Sequence, residues 1–208
     1  MSRLPRINTK HKICVICEGL EDYAYFDRLC KLGVWSEAYE FTVVNAKSAS
    51  NIPARYQNEF QNDNYELVLI FCDTDKAPYR EYSLIKKKID DFHGGAEPAS
   101  GYVIIYANPC TMQIILSHFG EVSLKNQGKK TNADIIEQLT EVKNYDAHEE
   151  QIRELCSKIF QRSYPDMRCR VEAIHNPDNV SGSTNFIVFL EHFEQGETEW
   201  IDEIKRHL

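Results

Sequence analysis

Four short apolar runs, separated by amphipathic segments, organise the first half of the chain. The strongest is Leu67–Cys72, in which every residue is apolar, as is typical of a β-strand covered on both faces. The other three are Ile13–Cys17, Phe41–Val44 and Tyr102–Ala107. Helical patterns follow the runs, at Glu21–Leu32, Ser50–Gln61, Tyr79–Phe92 and Cys110–Phe119. This alternation predicts an α/β fold with a mostly parallel four-stranded sheet and helices on both faces.

The pattern changes after Gly120. The remaining segments are predicted to be a polar loop at Glu121–Asn132, helices at Ala133–Val142 and His148–Phe160, an edge strand at Met167–Ala173, a turn-rich linker at Asn176–Ser183 and a closing helix at Asn185–Leu208. We therefore predict an α/β core over residues 1–120 and a mostly helical extension over 121–208 that packs on it. Both parts together are short enough to form a single domain.

Composition indicates an ordinary globular chain that lies outside the membrane. Hydrophobic residues make up 42% and charged residues 27% of 208 positions, and no apolar run approaches the roughly 20 residues that span a bilayer. The start of the chain, Met1–Arg6, is basic but is followed by polar residues instead of the apolar stretch of a signal peptide. The seven scattered cysteines are typical of free thiols in a reducing compartment. The expected location is the cytoplasm.

The spacing of Cys14 and Cys17 matches a C-x-x-C motif, but both lie within one apolar run. Residues three apart on a strand point to opposite faces, so a role in core packing is favoured over a shared zinc ion. The net charge of −8, from 24 basic and 32 acidic residues, argues against strong non-specific binding to duplex DNA, which needs a basic surface. The local basic clusters, Lys86–Lys88 and Lys125/Lys129/Lys130, are interpreted as solvated faces.

Acidic residues follow two of the predicted strands. Glu18 comes directly after the first strand and precedes Gly19, while Asp73 and Asp75 come directly after the strongest strand. If both strands are central, the three carboxylates converge at the carboxyl edge of the sheet, where functional groups gather. Like charges that converge need a cation, and Mg²⁺ (or Mn²⁺) prefers oxygen ligands together with phosphate. Gly19 would let a phosphate approach the backbone. The alternative is that Asp73 and Asp75 only cap the following helix.

These residues resemble a known family. The segment Glu18–Asp22 after one strand and Asp73–Asp75 after another are similar to the Toprim domain of primases, topoisomerases and OLD-type nucleases. Three further stretches narrow the resemblance to the RloB-like proteins associated with bacterial phage defence: Ile13–Phe26, Asn108–Phe119 and Ser183–Asn185.

The resemblance implies a Toprim-like four-stranded parallel sheet and Mg²⁺-dependent phosphoryl transfer on nucleic acid. It assigns Glu18 the role of general acid/base or metal ligand, and Asp73 and Asp75 the role of metal ligands. Asp22 matches a further acidic position that contributes to the metal site. The chain departs from the family where Met112 replaces a glutamate, with Thr111 in place of an aromatic residue. This substitution leaves open whether one metal or two are bound.

Nearby residues are assigned supporting roles. Lys76, and alternatively Arg80, would offset charge on the transferred phosphoryl group; a plain surface role is an equal alternative. Asn108 and His118 are expected to support the site structurally.

The leading hypothesis is a metal-dependent nuclease that cuts DNA or RNA in a phage-defence or restriction system, in which a protein partner can take part. The alternative is a catalytically silent Toprim module that binds a nucleotide or a partner protein. A receiver-like phosphotransfer module is disfavoured, because Asn108-Pro109 occupies the place where that fold carries a lysine. The sequence makes no prediction about the oligomeric state.

Overall fold

The computed structural model describes residues 10–75, 77–177 and 179–208. Four strands form one sheet in the order β2-β1-β3-β4. Their bounds are β1 His11–Cys17, β2 Tyr39–Asn45, β3 Leu67–Asp73 and β4 Ile104–Ala107. All neighbouring strands are parallel, so the predicted sheet is confirmed.

Ten α-helices surround the sheet in the part of the chain that is described. They are α1 Leu20–Leu32, α2 Ile52–Gln61, α3 Arg80–His93, α4 Ser100–Val103, α5 Met112–Leu116, α6 Lys129–Thr140, α7 Glu149–Ser157, α8 Tyr164–Ala173, α9 Phe186–Gln195 and α10 Glu199–Lys205. Every residue of Ile13–Cys17 is 0% exposed. Because consecutive strand residues point to opposite faces, the sheet is covered on both sides.

The strand order places a crevice between β1 and β3. The chain leaves β1 through α1 to reach β2 on one side, and β3 pairs with β1 on the other side. Such a reversal of direction separates the connecting segments at the carboxyl ends of the two strands, which is where open α/β sheets bind ligands. The register sets Cys17 opposite Phe71, so Glu18 and Asp73 both emerge at this crevice.

Two predicted elements beyond Gly120 are wrong. The expected edge strand at Met167–Ala173 is part of helix α8. Its buried residues, Tyr164, Met167 and Val171, are spaced by three and four positions, which is a helical period. The expected single closing helix is two helices, because Gly196 adopts a left-handed backbone with φ of 72° and a Cβ there would meet the Ser36 Oγ.

Residues from both sides of Gly120 share one hydrophobic core. Phe186 packs against Phe71 with ring centroids 5.4 Å apart, and Phe193 packs against Phe41 at 4.9 Å. All seven cysteines are free thiols, and five of them are buried. Among the described residues, the helices are all too short or too polar to cross a bilayer.

Candidate active site at the carboxyl edge of the sheet

Glu18 and Asp73 meet at the crevice between β1 and β3. Glu18 follows the last residue of β1, and its amide donates to the Phe71 carbonyl at 3.1 Å. Asp73 ends β3, and its amide donates to Glu18 Oε2 at 3.2 Å. Parallel pairing therefore brings together two acidic residues that are 55 positions apart in the chain. Both are partly buried.

Asp22 adds a third carboxylate on the first turn of α1. Its Oδ2 accepts the amide of Gly19 at 2.9 Å, which is the half of a capping box that the third helical residue supplies. Its Oδ1 is buried and has no hydrogen-bond partner among the described residues. Asp22 as a whole is only 4% exposed. Buried polar atoms are almost always paired, so this oxygen needs an explanation.

Thr111 holds Asp73 in place. Its amide and its hydroxyl both donate to Asp73 Oδ1, at 2.7 and 2.9 Å. One oxygen of the Asp73 carboxylate is therefore fixed by two hydrogen bonds from Thr111. The neighbouring Met112 is 1% exposed and belongs to the hydrophobic core, so this position contributes no carboxylate.

The segment after Asp73 is fixed by backbone hydrogen bonds. The Thr74 amide donates to the Ala107 carbonyl and the Asp75 amide to the Pro109 carbonyl, both at 3.0 Å. Asp75 adopts a left-handed backbone with φ of 58°. The Thr74 hydroxyl is a second buried atom that lacks a hydrogen-bond partner within the described ranges. Lys76 lies outside the described residues.

The acidic groups disfavour one another's ionisation. Burial, reinforced by the charge of Asp22 and partly offset by the hydrogen bond from the Asp73 amide, raises the pKa of Glu18 to about 8. Burial and the charges of Asp22 and Glu18 raise the pKa of Asp73 well above its ordinary value. The pKa of Asp22 is also raised, mainly by burial. The site therefore favours a positive charge placed among these oxygens.

Lys129 is a member of this site that sequence reasoning assigned to a solvated face. Its ammonium group forms an ion pair with Glu21, whose other oxygen accepts the hydroxyl of Tyr145. The Lys129 side chain is 26% exposed, whereas that of Lys130 is 86% exposed. Burial opposes its charge, but the charges of Glu21 and Asp73 raise the pKa of Lys129 overall. No sequence signal pointed to this pairing, because its partners are 108 positions apart.

Gly19 and Arg80 lie in less specialised surroundings. The backbone of Gly19 is extended, with φ of −133°, and a Cβ there would make only an ordinary contact with Asp22. Its amide is already donated to Asp22. Arg80 is exposed at the start of α3.

Asn108 and His118 both make structural contacts. Asn108 is 1% exposed and donates to the backbone and side-chain oxygens of Asn179 at 3.0 and 2.9 Å. His118 is 4% exposed and lies between the Tyr25 hydroxyl at 3.1 Å and the Ser163 hydroxyl at 2.9 Å. Burial lowers the pKa of His118 to about 3, so the ring is neutral at physiological pH.

The carboxylate oxygens of the site are ligands that suit Mg²⁺. The predicted convergence of Glu18, Asp73 and Asp75 on one metal ion is not seen in the part of the chain that the structure describes. Among the described residues, no group of three or more His, Cys, Asp or Glu side chains is arranged to hold a metal ion. Mg²⁺ does not require one, since it commonly takes one or two carboxylates and completes its shell with water and phosphate oxygens. Glu18 and Asp73 supply such a pair, and the unpartnered oxygen of Asp22 lies in the same acidic cluster.

Comparison with protein-family models, curated proteins and solved structures finds no significant match.

Proposed function

We propose that the protein is a Mg²⁺- or Mn²⁺-dependent phosphodiesterase that cleaves nucleic acid. One observation carries the proposal. The Glu18 carboxylate accepts a hydrogen bond from the backbone amide of Asp73 at the crevice between β1 and β3, and the buried Asp22 Oδ1 beside them lacks a hydrogen-bond partner among the described residues. The resemblance to RloB-like Toprim proteins supports the same activity, and with it a role in phage defence alongside a protein partner.

The energetics of the cluster support a bound cation. Burying ionised carboxylates side by side is costly unless they are paired or coordinate a metal. Lys129 supplies one positive charge, but it is paired with Glu21. A divalent cation near Glu18 and Asp73 would neutralise the remaining repulsion. A bound metal ion would polarise a phosphate and lower the pKa of a bound water.

The side chains have distinct roles in this proposal. Thr111 fixes the orientation of Asp73 through two hydrogen bonds, so that the other carboxylate oxygen can face the crevice. Glu18 is the group that would hold the metal ion or move a proton. Burial and the neighbouring carboxylates raise its pKa to about 8, and a divalent cation bound beside it would lower that pKa. The charge of Lys129 interacts favourably with Asp73 and partly offsets the rise in its pKa. The same positive charge would favour binding of an anionic phosphate at this edge of the sheet.

The test is a cleavage assay with labelled single- and double-stranded DNA and RNA, in Mg²⁺, Mn²⁺ or EDTA. We expect metal-dependent cleavage that falls by about 100-fold or more in Glu18→Gln and Asp73→Asn, since each substitution removes a group that acts on the reaction. The matched controls are Glu40→Gln and Asp134→Asn, which change exposed carboxylates and should cut like the wild type. Equal cleavage by all four variants would overturn the assignment.

A second candidate function is a catalytically silent module that binds a nucleotide or a partner protein. The absence of a three-acid metal group among the described residues and the apolar Met112 favour it. In that case no substrate would be cut, and a nucleotide or Mg²⁺ would still raise the melting temperature through preferential binding to the folded state.

A further inference from the structure

A separate cavity lies along the outer flank of the edge strand β4. It has a volume of about 420 Å³ and is bounded by α3 and α4 on one side and by α9 and α10 on the other. Part of its wall is aromatic, formed by Tyr82, Tyr102, Tyr106, Phe189, His192 and Trp200. Glu18, Asp22, Asp73 and Lys129 do not line it, so it is distinct from the candidate active site.

The cavity lies beside β4, which is the last strand at this edge of the sheet. An edge strand leaves backbone groups unpaired, and here a side chain satisfies them. The Asn185 side chain accepts the Tyr106 amide and donates to the Ile104 carbonyl, each at 2.8 Å. Together with Thr184, whose hydroxyl donates to the Tyr106 carbonyl, this side chain covers the edge where a fifth strand would otherwise pair.

The aromatic wall is held in place before any ligand binds. The Trp200 indole donates to the Tyr39 hydroxyl at 2.9 Å and to the Glu197 carbonyl at 3.0 Å. His192 stacks on Trp200, with ring centroids 4.8 Å apart and planes within 7°. Since these two rings cover one face of each other and Trp200 is only 5% exposed, a nucleobase would stack on the other side of the partly exposed His192 ring.

Two charged side chains also line the cavity. Lys86 lies with its ammonium group 5.8 Å from the centre of the Tyr82 ring, and it is partly buried. Glu203 lines the cavity from α10 and is exposed. An ammonium group suits a phosphate, and a carboxylate accepts hydrogen bonds from ribose hydroxyls or an exocyclic amine.

We propose that this cavity is a binding site for a nucleoside monophosphate, with the base against the aromatic wall and the phosphate at Lys86. A ligand that contacts the aromatic rings, Glu203 and Lys86 together must present a planar ring, hydroxyl or amine donors, and one anionic group. The volume lies within the usual range for small-molecule sites. Burial lowers the pKa of His192, so its neutral ring can both donate to and accept from the edge of a base.

The experiment is calorimetric titration of the full chain in EDTA with the four common ribonucleoside monophosphates, the corresponding nucleosides and inorganic phosphate. EDTA separates this site from metal-dependent binding at Glu18 and Asp73. We expect saturable one-to-one binding of at least one monophosphate, with a change in the fluorescence of Trp200. Lys86→Gln should weaken monophosphate binding by about tenfold, which corresponds to the loss of one charged hydrogen bond, and leave nucleoside binding unchanged. Lys87→Gln, the exposed neighbour on the same helix, should change neither.

Gly101→Phe is the blocking variant. Gly101 lines the cavity, and a Cβ at this position would meet no atom within 4 Å, so the new ring can enter the space without displacing the backbone. It should abolish binding while leaving the circular dichroism spectrum unchanged. If this variant does not fold, Val188→Trp provides a second block from α9, where Val188 is 40% exposed. Absence of saturable binding by every monophosphate, or binding that persists in a folded blocked variant, would overturn the proposal.

Discussion

At the scale of single residues, the protein contains charged and polar groups where burial makes them expensive. Asp22 and Thr74 each keep a buried oxygen without a hydrogen-bond partner in the described part of the chain, and both lie beside Asp73. Deviations from good packing and pairing are concentrated at functional sites, because function needs groups that stability alone would remove. His118 is the contrasting case, since both of its ring nitrogens have partners.

Acidification should remove the stability that the neutral His118 ring contributes. Burial lowers the pKa of His118 from 6.5 to about 3 in the folded state, so the unfolded chain takes up a proton first as the pH falls. The stability conferred by the neutral ring is complete above pH 6.5 and is lost as the pH falls toward 3. We expect the contribution of His118 to the free energy of unfolding to fall by on the order of 2 kcal/mol between pH 7 and pH 4.5. The raised pKa values of Glu18, Asp22 and Asp73 act in the opposite direction over this range, so the effect of His118 is measured as a difference from a variant.

Urea denaturation at several pH values tests this. His118→Gln should lower stability at pH 7, because two hydrogen bonds are altered, and the difference in the free energy of unfolding between it and the wild type should shrink toward pH 4.5. His148→Gln changes an exposed histidine and should keep the wild-type slope. Parallel pH profiles for the wild type and His118→Gln would show that His118 does not contribute this pH dependence.

At the scale of secondary-structure elements, the edge strand β4 is paired differently from the central strands. The buried central strands β1 and β3 pair with a neighbour on each side, whereas β4 depends on Asn185 and Thr184. Thr184 forms isolated bridges with Ala107 and His175, and its hydroxyl donates to the Tyr106 carbonyl at 2.5 Å. The short segment before α9 thus covers the edge of the sheet with side chains and with backbone bridges.

Asn185→Ala tests how much this closure contributes. The substitution leaves the Tyr106 amide and the Ile104 carbonyl without their partner, so we expect the free energy of unfolding to fall by about 2 kcal/mol. The measurement is urea denaturation followed by circular dichroism. Asn64→Ala, at an exposed position, is the matched control and should change stability by less than about 0.5 kcal/mol. A loss no larger than that of the control would mean that water replaces the Asn185 side chain.

At the scale of the whole molecule, the C-terminal helices complete the core of the α/β unit. Phe193 lies against Trp35 and Phe41, with centroid distances of 5.1 and 4.9 Å. The Arg28 guanidinium of α1 donates to the Ile159 carbonyl at 2.7 Å. These contacts link sequence regions on either side of Gly120 through apolar packing and through a hydrogen bond from a side chain to the backbone.

We predict that residues 1–120 alone do not fold cooperatively, because removing α9 exposes the rings that it covers. The truncated chain should lack a cooperative thermal transition and should bind hydrophobic dyes. In the full chain, Phe193→Ala should cost about 3–5 kcal/mol, whereas Phe160→Ala, at a position 47% exposed, should cost far less. A sharp two-state transition of residues 1–120 would show that the boundary at Gly120 separates independent domains.

The sequence was sufficient to predict the sheet and the two acidic positions at its edge. Runs such as Ile13–Cys17 and Leu67–Cys72 are apolar throughout because both of their faces are buried, and that pattern is visible without coordinates. Once both strands are central and parallel, the residues that follow them must lie side by side. The approach of Glu18 to Asp73 is therefore a consequence of the strand pattern and the topology it implies.

Only the tertiary structure decided what surrounds that pair. The pairing of Lys129 and Tyr145 with Glu21, the hydrogen bonds from Thr111 to Asp73 and the helical state of Met167–Ala173 all depend on contacts between distant segments. Local propensity is weak compared with burial against such segments. For this chain, short-range patterns determined which elements form the sheet, and long-range packing determined which side chains share its carboxyl edge.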